Sequence, residues 1–306
     1  LIFWVVIENV VHSDYVDCVF GSDKMNKEGW NPISAGPVTT WTAPLCGKGK
    51  FVVQPFLFYN RTRGSFNSVG RYDSLPNGDK KYQYQEQLFA QYGITDRLEI
   101  DGQMVYQENY IKQGDSRVHA NGFGDSYFFL RYCAFEEKGW LPHLAGLVQL
   151  KMPTGKYQHA DPDKLGTDSM GATSGGGSWD PGFGFNLTKK LKPFVFHADT
   201  IYSFPHEVMV DGIKTIYGKY LNYDVGGEYF FSKGFNLMLE ASGFLQGDKW
   251  QDGDRRPSTD IRYLAIAPGV GWSCDKFQAL VVYQRAVIGT NTDANDSVVL
   301  TLVYTF

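Results

Sequence analysis

The sequence predicts an all-β protein: an antiparallel transmembrane β-barrel of about 12 strands, with short periplasmic turns and long extracellular loops. Three observations predict it. First, in the last ten residues every even position (Val298, Leu300, Leu302, Tyr304, Phe306) is apolar, while Ser297, Thr301 and Thr305 are hydroxylated. Alternate side chains of a strand point to opposite faces, so one face there is wholly apolar and ends in two aromatics. That is the expected closing strand of a barrel, its last aromatic in the interfacial girdle. Second, short polar turns recur at Thr95-Asp96-Arg97, Glu136-Glu137-Lys138-Gly139, Lys189-Lys190, Ser232-Lys233-Gly234 and Cys274-Asp275-Lys276. Each interval has room for two strands of about ten residues and a longer loop. Third, the stretches between these turns alternate in polarity.

Composition agrees. Aromatics make up 16% of the 306 residues, and 34 are Gly, which suits strands that meet a lipid interface and turn tightly. A mean hydropathy of −0.29 would ordinarily argue for a water-soluble protein. A barrel escapes that test because only half of each strand faces lipid. Beyond the first few residues no apolar run approaches the roughly 20 residues of a helical span. A net charge of −4 and no basic stripe make nucleic acid an unexpected partner. The four cysteines (Cys18, Cys46, Cys133, Cys274) form no CxxC and have no His at ligand spacing, so neither a metal site nor a cofactor is expected. A Cys18–Cys46 bridge is one option that spacing leaves open.

In chain order, residues 1–13 start Leu-Ile-Phe-Trp-Val-Val-Ile and then turn polar, as the tail of a secretory signal or an ordinary strand-like N-terminus would. Residues 14–47, with Trp30-Asn31-Pro32 among Gly and Ser, show no sustained period. They are expected to form a periplasmic arm or a segment that enters the pore, so residues 1–47 are one unit and 48–306 the barrel. Strands are expected near 49–60, 82–94, 98–110, 125–135, 143–152, 178–188, 194–204, 218–231, 235–246, 260–272, 277–288 and 297–306. The extracellular loops are then 61–81, 111–124, 153–177, 205–217, 247–259 and 289–296. An even count puts both ends of the barrel on one side.

The polar faces are legible. Glu99, Asp101 and Gln103 oppose Leu98, Ile100 and Met104; Gln149 and Lys151 oppose Val148 and Leu150; Gln83, Gln85, Gln87 and Gln91 share one face. Parity gives a pore-lining set of Glu99, Asp101, Arg131, Gln149, Lys151, His197, Asp199, Asp224, Glu228 and Glu240, with Arg285 a weaker member. The bland expectation is a network of ion pairs and amide hydrogen bonds. The functional one is a polar path that selects solute by width and charge. Twelve strands lie between the filled eight-stranded barrel and the wide porins, so a narrow pore is expected.

Tyr92-Gly93-Ile94-Thr95-Asp96-Arg97-Leu98-Glu99, Gly122-Phe123-Gly124-Asp125 and Leu150-Lys151-Met152-Pro153-Thr154-Gly155-Lys156 carry a resemblance. Over roughly residues 48–306 the chain resembles the MetA-pathway of phenol degradation family of outer-membrane channels. Pro-Thr-Gly and Gly-x-Gly-Asp are the family's most specific marks, although Met152 precedes Pro153 where the family more often has another aliphatic residue. The resemblance implies a channel for small hydrophobic or aromatic compounds and supplies no catalytic residues.

Enzyme readings are weaker. His197-Ala198-Asp199 sets a His and an Asp on one strand face, but without the further carboxylate pair of a rim protease. They are expected to be a structural pair. His159-Ala160-Asp161-Pro162-Asp163 reads as a turn. Gly175-Gly176-Gly177 lacks the Lys-Ser/Thr of a phosphate loop and reads as a loop able to fold inward. The expected protein is therefore a monomeric, non-enzymatic barrel in the bacterial outer membrane, whose partners are outer-membrane lipid and a small-molecule solute. Two alternatives remain: a plugged barrel with a structural or adhesive role, and a barrel enzyme acting on lipid or peptide.

Overall fold

The computed structural model describes residues 32, 34–155, 176–210, 212–231, 234–274 and 276–306. Twelve long antiparallel strands close on themselves: β1 (51–66), β2 (80–95), β3 (98–113), β4 (126–135), β5 (143–152), β6 (180–191), β7 (194–203), β8 (220–230), β9 (235–246), β10 (261–274), β11 (277–290) and β12 (292–305). Each pairs with its neighbours in sequence, and β12 returns to β1, with Val52 opposite Thr305 and Tyr59 opposite Val298. Closure pairs both edges of the twelve-stranded ring. Among the described residues there is no helix.

The outer face is apolar where the membrane lies. Leu130, Val148, Leu150, Leu237, Leu239, Val270, Val281 and Val298 are exposed there. At the end near the short turns the rings of Phe194, Tyr229, Phe231 and Phe235 follow one another, and Phe51 meets Phe306 at 5.9 Å. Toward the other end Tyr59 packs on Tyr84 and Tyr82 stacks on Tyr110. Two aromatic rims around an apolar band are what a barrel needs at the two interfaces of a bilayer.

Several boundaries differ from those expected. Where 111–124 reads as a loop, β3 continues to Gln113, turns at Gly114-Asp115, and returns as a strand, Ser116–Phe123. Where 289–296 reads as a loop, the chain turns at Asn291 alone, whose φ is 49°, and β12 begins at Thr292. The strands run on past the bilayer with polar side chains on both faces, so the apolar alternation ends before the pairing does. Lys189 and Lys190 read as a turn but pair with Phe196 and Val195, and the reversal comes at Lys192-Pro193. Proline has no N–H for the ladder and ends the strand where two lysines do not. The loops 204–219 and 247–260 add a small sheet of Val208–Val210, Ile213–Ile216, Trp250–Gln251 and Asp254–Arg255 above the barrel.

Cys46 and Cys133 are free thiols, so the Cys18–Cys46 option does not hold; Cys274 is disulfide-bonded. The signal-like residues 1–13, the turn His159–Asp163 and most of loop 153–177 lie outside the described residues.

Candidate functional site

The site is the inside of the barrel, and residues 34–47 run through it. They make no strand with the wall. Instead their backbone N–H groups, which must be satisfied somewhere, go to side chains of the inner face. Glu240 accepts the N–H of Val38, Thr39 and Thr40 at 2.9, 2.8 and 2.9 Å, and the hydroxyls of both threonines as well. Asp199 accepts the N–H of Trp41 at 2.7 Å, and Glu99 that of Cys46 at 2.6 Å. Gln278 and Thr188 accept from Ala35 and Ala43, and Ser34 donates to Glu228. At the rim Asp96 accepts the N–H of Lys48.

Apolar contacts complete the seat. Val38 packs against Met238, Ala267, Leu280, Val282 and Val299, with Phe56 and Phe58 alongside. The inner wall of β9–β12 and β1 is thus substantially apolar, which parity alone did not bring out. Trp41 stands edge-on to Phe129 at 4.6 Å, touches Phe89 at 5.1 Å, and lies under the Arg131 guanidinium. Two glycines let the segment come this close. A Cβ on Gly226 would sit 2.8 Å from Pro37 Cγ, and one on Gly93 would overlap the carbonyl of Gly47.

The ten residues of the parity set all lie on the inner face; Glu240 seats residues 38–40 as above, and the other nine fall in three groups. Glu99, Asp101 and Arg131 form a buried cluster. Arg131 donates to Glu99 at 2.8 Å, to Asn186 and to the carbonyl of Thr42, while Asp101, 3.9 Å away, has no hydrogen-bond partner among the described residues. His197 bridges Glu228 at 2.9 Å and Thr188 at 3.0 Å. The expected His197–Asp199 pair is therefore not formed, because Asp199 is turned to the main chain at Trp41 and the base meets Glu228 instead. Gln149, Lys151 and Asp224 border open space together with Asp199. Arg285 is not an inner residue: it shares the outward parity of Val281 and Tyr283, which are exposed, and stands beside Asp296.

Above Trp41 a cavity of about 580 Å³ opens toward the long loops. Its walls are amide-rich (Gln85, Gln87, Gln103, Gln107, Gln149, Asn222) and its floor is aromatic and aliphatic (Trp41, Phe129, Ile201). That volume falls within the usual range for small-molecule sites.

The motifs singled out in the sequence meet at the cavity mouth. Thr154 Oγ1 donates to the carbonyl of Gly124 or to Ser126 Oγ and accepts the Ser126 N–H, while Asp125 accepts the N–H of Gly155 and of Gly176. Lys151 holds Asp180 at 2.6 Å and Asp125 at 3.5 Å. Asp180 and Trp41 have no motif of their own, and sequence parity did not single them out.

A closed 12-stranded barrel with aromatic rims and a polar interior defines a bacterial outer-membrane β-barrel. Residues 52–302 match the family described as MetA-pathway of phenol degradation, and the chain belongs to that family. An outer membrane channel from Pseudomonas putida F1 superposes with a TM-score of 0.68 at 16% identity, covering 85% of this chain and 96% of that one. The translocator domain of the autotransporter NalP from Neisseria meningitidis (TM-score 0.43, 10% identity, 85% and 89% covered) and the monoaromatic hydrocarbon channel CymD (0.45, 7%, 84% and 88%) are more distant barrels. No curated protein matches the sequence.

Proposed function

We propose that the protein is a monomeric, passive outer-membrane channel for small uncharged molecules, hydrophobic or aromatic compounds among them, and that it does no covalent chemistry. The observation that carries this is the open cavity standing on Trp41. Gln149 and its neighbours offer hydrogen bonds without net charge, and Trp41 and Phe129 offer a ring surface. The family's name, and the description of CymD as a monoaromatic hydrocarbon channel, accord with such a solute. In this reading Gln149, Lys151 and Asp224 meet the solute first. Glu99, Asp199, Glu228 and Glu240 hold residues 34–47 as the constriction, and Asp101, Arg131 and His197 brace the wall behind them. Removing residues 34–47 should raise the conductance of the reconstituted barrel and speed entry of small aromatics into proteoliposomes. A barrel whose rates ignore that deletion would not be a channel gated by this segment.

A second reading, a plugged barrel that works through its loops, is favoured by the same segment, since it fills the half of the lumen nearest the short turns. Proteoliposomes impermeable both with and without the segment would favour it. Loss of an enzymatic activity on His197→Gln with folding intact would instead favour the enzyme reading, which both proposals exclude.

A further inference from the structure

The outer wall carries a feature that transport does not use. On β2, β3 and the returning strand Ser116–Phe123, Lys80 stands directly opposite Lys112, and Lys112 directly opposite Arg117. All three share the outward parity of Tyr84, Met104 and Phe123, which are exposed. Directly opposed side chains have Cβ atoms about 5 Å apart, and like charges so placed destabilise a sheet. Among the described residues none of the three has a carboxylate in ion-pair range. Of the nearby acids, Asp79 accepts the Gly114 N–H at 2.8 Å and Glu108 faces His119 at 3.8 Å, while Asp115, in the turn between Lys112 and Arg117, is in ion-pair range of neither among the described residues. Protection of an exposed strand edge accounts for Arg117 at most, because Lys80 and Lys112 lie on internal strands.

Height fixes what the row faces. Arg61 is ten residues from Phe51 along β1, about 25 Å of rise at a tilt of roughly 40°, which is the full apolar band of such a barrel. Arg61 is paired with Tyr82, and Tyr82 with Tyr110 and, across it, His119. Lys80, Lys112 and Arg117 are two residues further out, about 5 Å higher. Each step across tilted strands adds about 3 Å of height, so the row climbs by roughly 6 Å from Lys80 to Arg117; it stands beyond the hydrocarbon, above stacked Tyr82 and Tyr110, and crosses the outer-leaflet head-group region.

We infer that Lys80, Lys112 and Arg117, with Arg61 below them, form a docking surface for the phosphorylated sugar head group of an outer-leaflet glycolipid. A phosphate monoester would remove the repulsion within the row and accept charge-assisted hydrogen bonds from it. The saccharide would lie on the Tyr82–Tyr110 face, and the acyl chains would continue down the apolar wall past Tyr59.

The test uses the folded barrel in neutral detergent, with bisphosphorylated lipid A and the same lipid dephosphorylated, read by native mass spectrometry. Each cation near an anionic lipid surface contributes roughly fivefold, so K80Q/K112Q/R117Q should bind the phosphorylated lipid about a hundredfold more weakly and Lys112→Gln alone about fivefold. Arg256→Gln, an exposed cation on another loop, should change nothing. Heat-modifiable gel mobility reports folding, and the single variant keeps the test valid should the triple one misfold. Equal binding of the dephosphorylated lipid, unchanged binding by Lys112→Gln, or an equal loss in Arg256→Gln would overturn the inference.

Discussion

Replacing Glu240 by Gln should loosen residues 34–47 without disturbing the barrel. Glu240 Oε1 accepts from Val38 N–H, and Oε2 accepts from the N–H and hydroxyl groups of Thr39 and Thr40. An amide keeps one oxygen, and its best orientation leaves that oxygen where four donors converge. The NH2 then faces the Val38 N–H, donor against donor. One charge-assisted bond is lost outright, worth about 1.5–3 kcal/mol, and four fall from charged to neutral strength, about 1 kcal/mol each. Relief of a buried charge offsets part of this, and the bonds are not additive. About 3 kcal/mol remains, roughly a hundredfold in the opening equilibrium of the segment. Hydrogen exchange at the amides of Val38, Thr39 and Thr40 should accelerate by about that factor, and single-channel conductance should rise. Exchange within twofold of the parent, with conductance unchanged, would show that Glu240 does not hold the segment.

Gly226→Val, whose first added carbon meets Pro37 and Thr40, should release the same segment from the neighbouring strand, where Gly226 stands directly opposite Glu240, and raise conductance as Glu240→Gln does; a silent substitution would count against the packing. The Cys46 thiol is pushed up to about 12, first by burial and then by its hydrogen bond to Glu99 and that carboxylate's charge. In a Cys133→Ser background its maleimide labelling at pH 8 should be slower than a free cysteine's by about three orders of magnitude, and Glu240→Gln should restore much of the rate. Asp248, in the loop after β9, is held below the usual carboxylate range by the Thr259 N–H and by Arg255. A carboxyl lowered on folding stabilises above its unfolded value and loses that contribution as pH falls through the lowered one. Protection of the Thr259 and Asp260 amides should therefore persist through the ordinary carboxylate range in the parent and fail only at lower pH, and should be lost at all pH values in Asp248→Asn. The cavity is bordered by Asp125, Asp199 and Asp224 against Lys151, so reversal potentials in a salt gradient should show cation preference, and anion preference would refute the charge assignment.

Much of the barrel was legible because strand alternation is a property of residue type. The apolar even positions of β12 and the polar odd positions of β3 each say which face they occupy. The pairing beyond the bilayer was not legible, since Glu108, Lys112 and Arg117 are polar whether they extend a hairpin or cap a loop. Nor was the partner of Asp199. His197, two residues away on the same face, is the obvious candidate in the sequence, yet Asp199 is satisfied by a main-chain N–H that no residue identity announces. Arg285 misled for a related reason. β11 is apolar on both faces, Leu280 and Val282 inward and Val281 and Tyr283 outward, so its alternation does not announce which face Arg285 shares.

The way the inner carboxylates are satisfied bears on the proposed uptake. Glu99, Asp199 and Glu240 face N–H groups of residues 34–47, while Val38 and Trp41 cover the apolar parts of the wall. A buried carboxylate that loses its donors without replacement is costly, so the segment can leave only if something takes over both roles. Water can supply donors but cannot cover Phe56, Phe58, Phe89 and Phe129. A saturated hydrocarbon can cover the rings but leaves the carboxylates bare. A ring bearing a hydroxyl or N–H group does both at once, and the cavity above Trp41 already offers such a molecule amides at its sides and aromatic surface beneath. Hydroxylated aromatics should therefore enter faster than alkanes of equal size through the parent barrel, and that advantage should shrink once residues 34–47 are removed. Equal rates for the two classes through the parent would break the link between the segment's hydrogen bonds and the choice of solute.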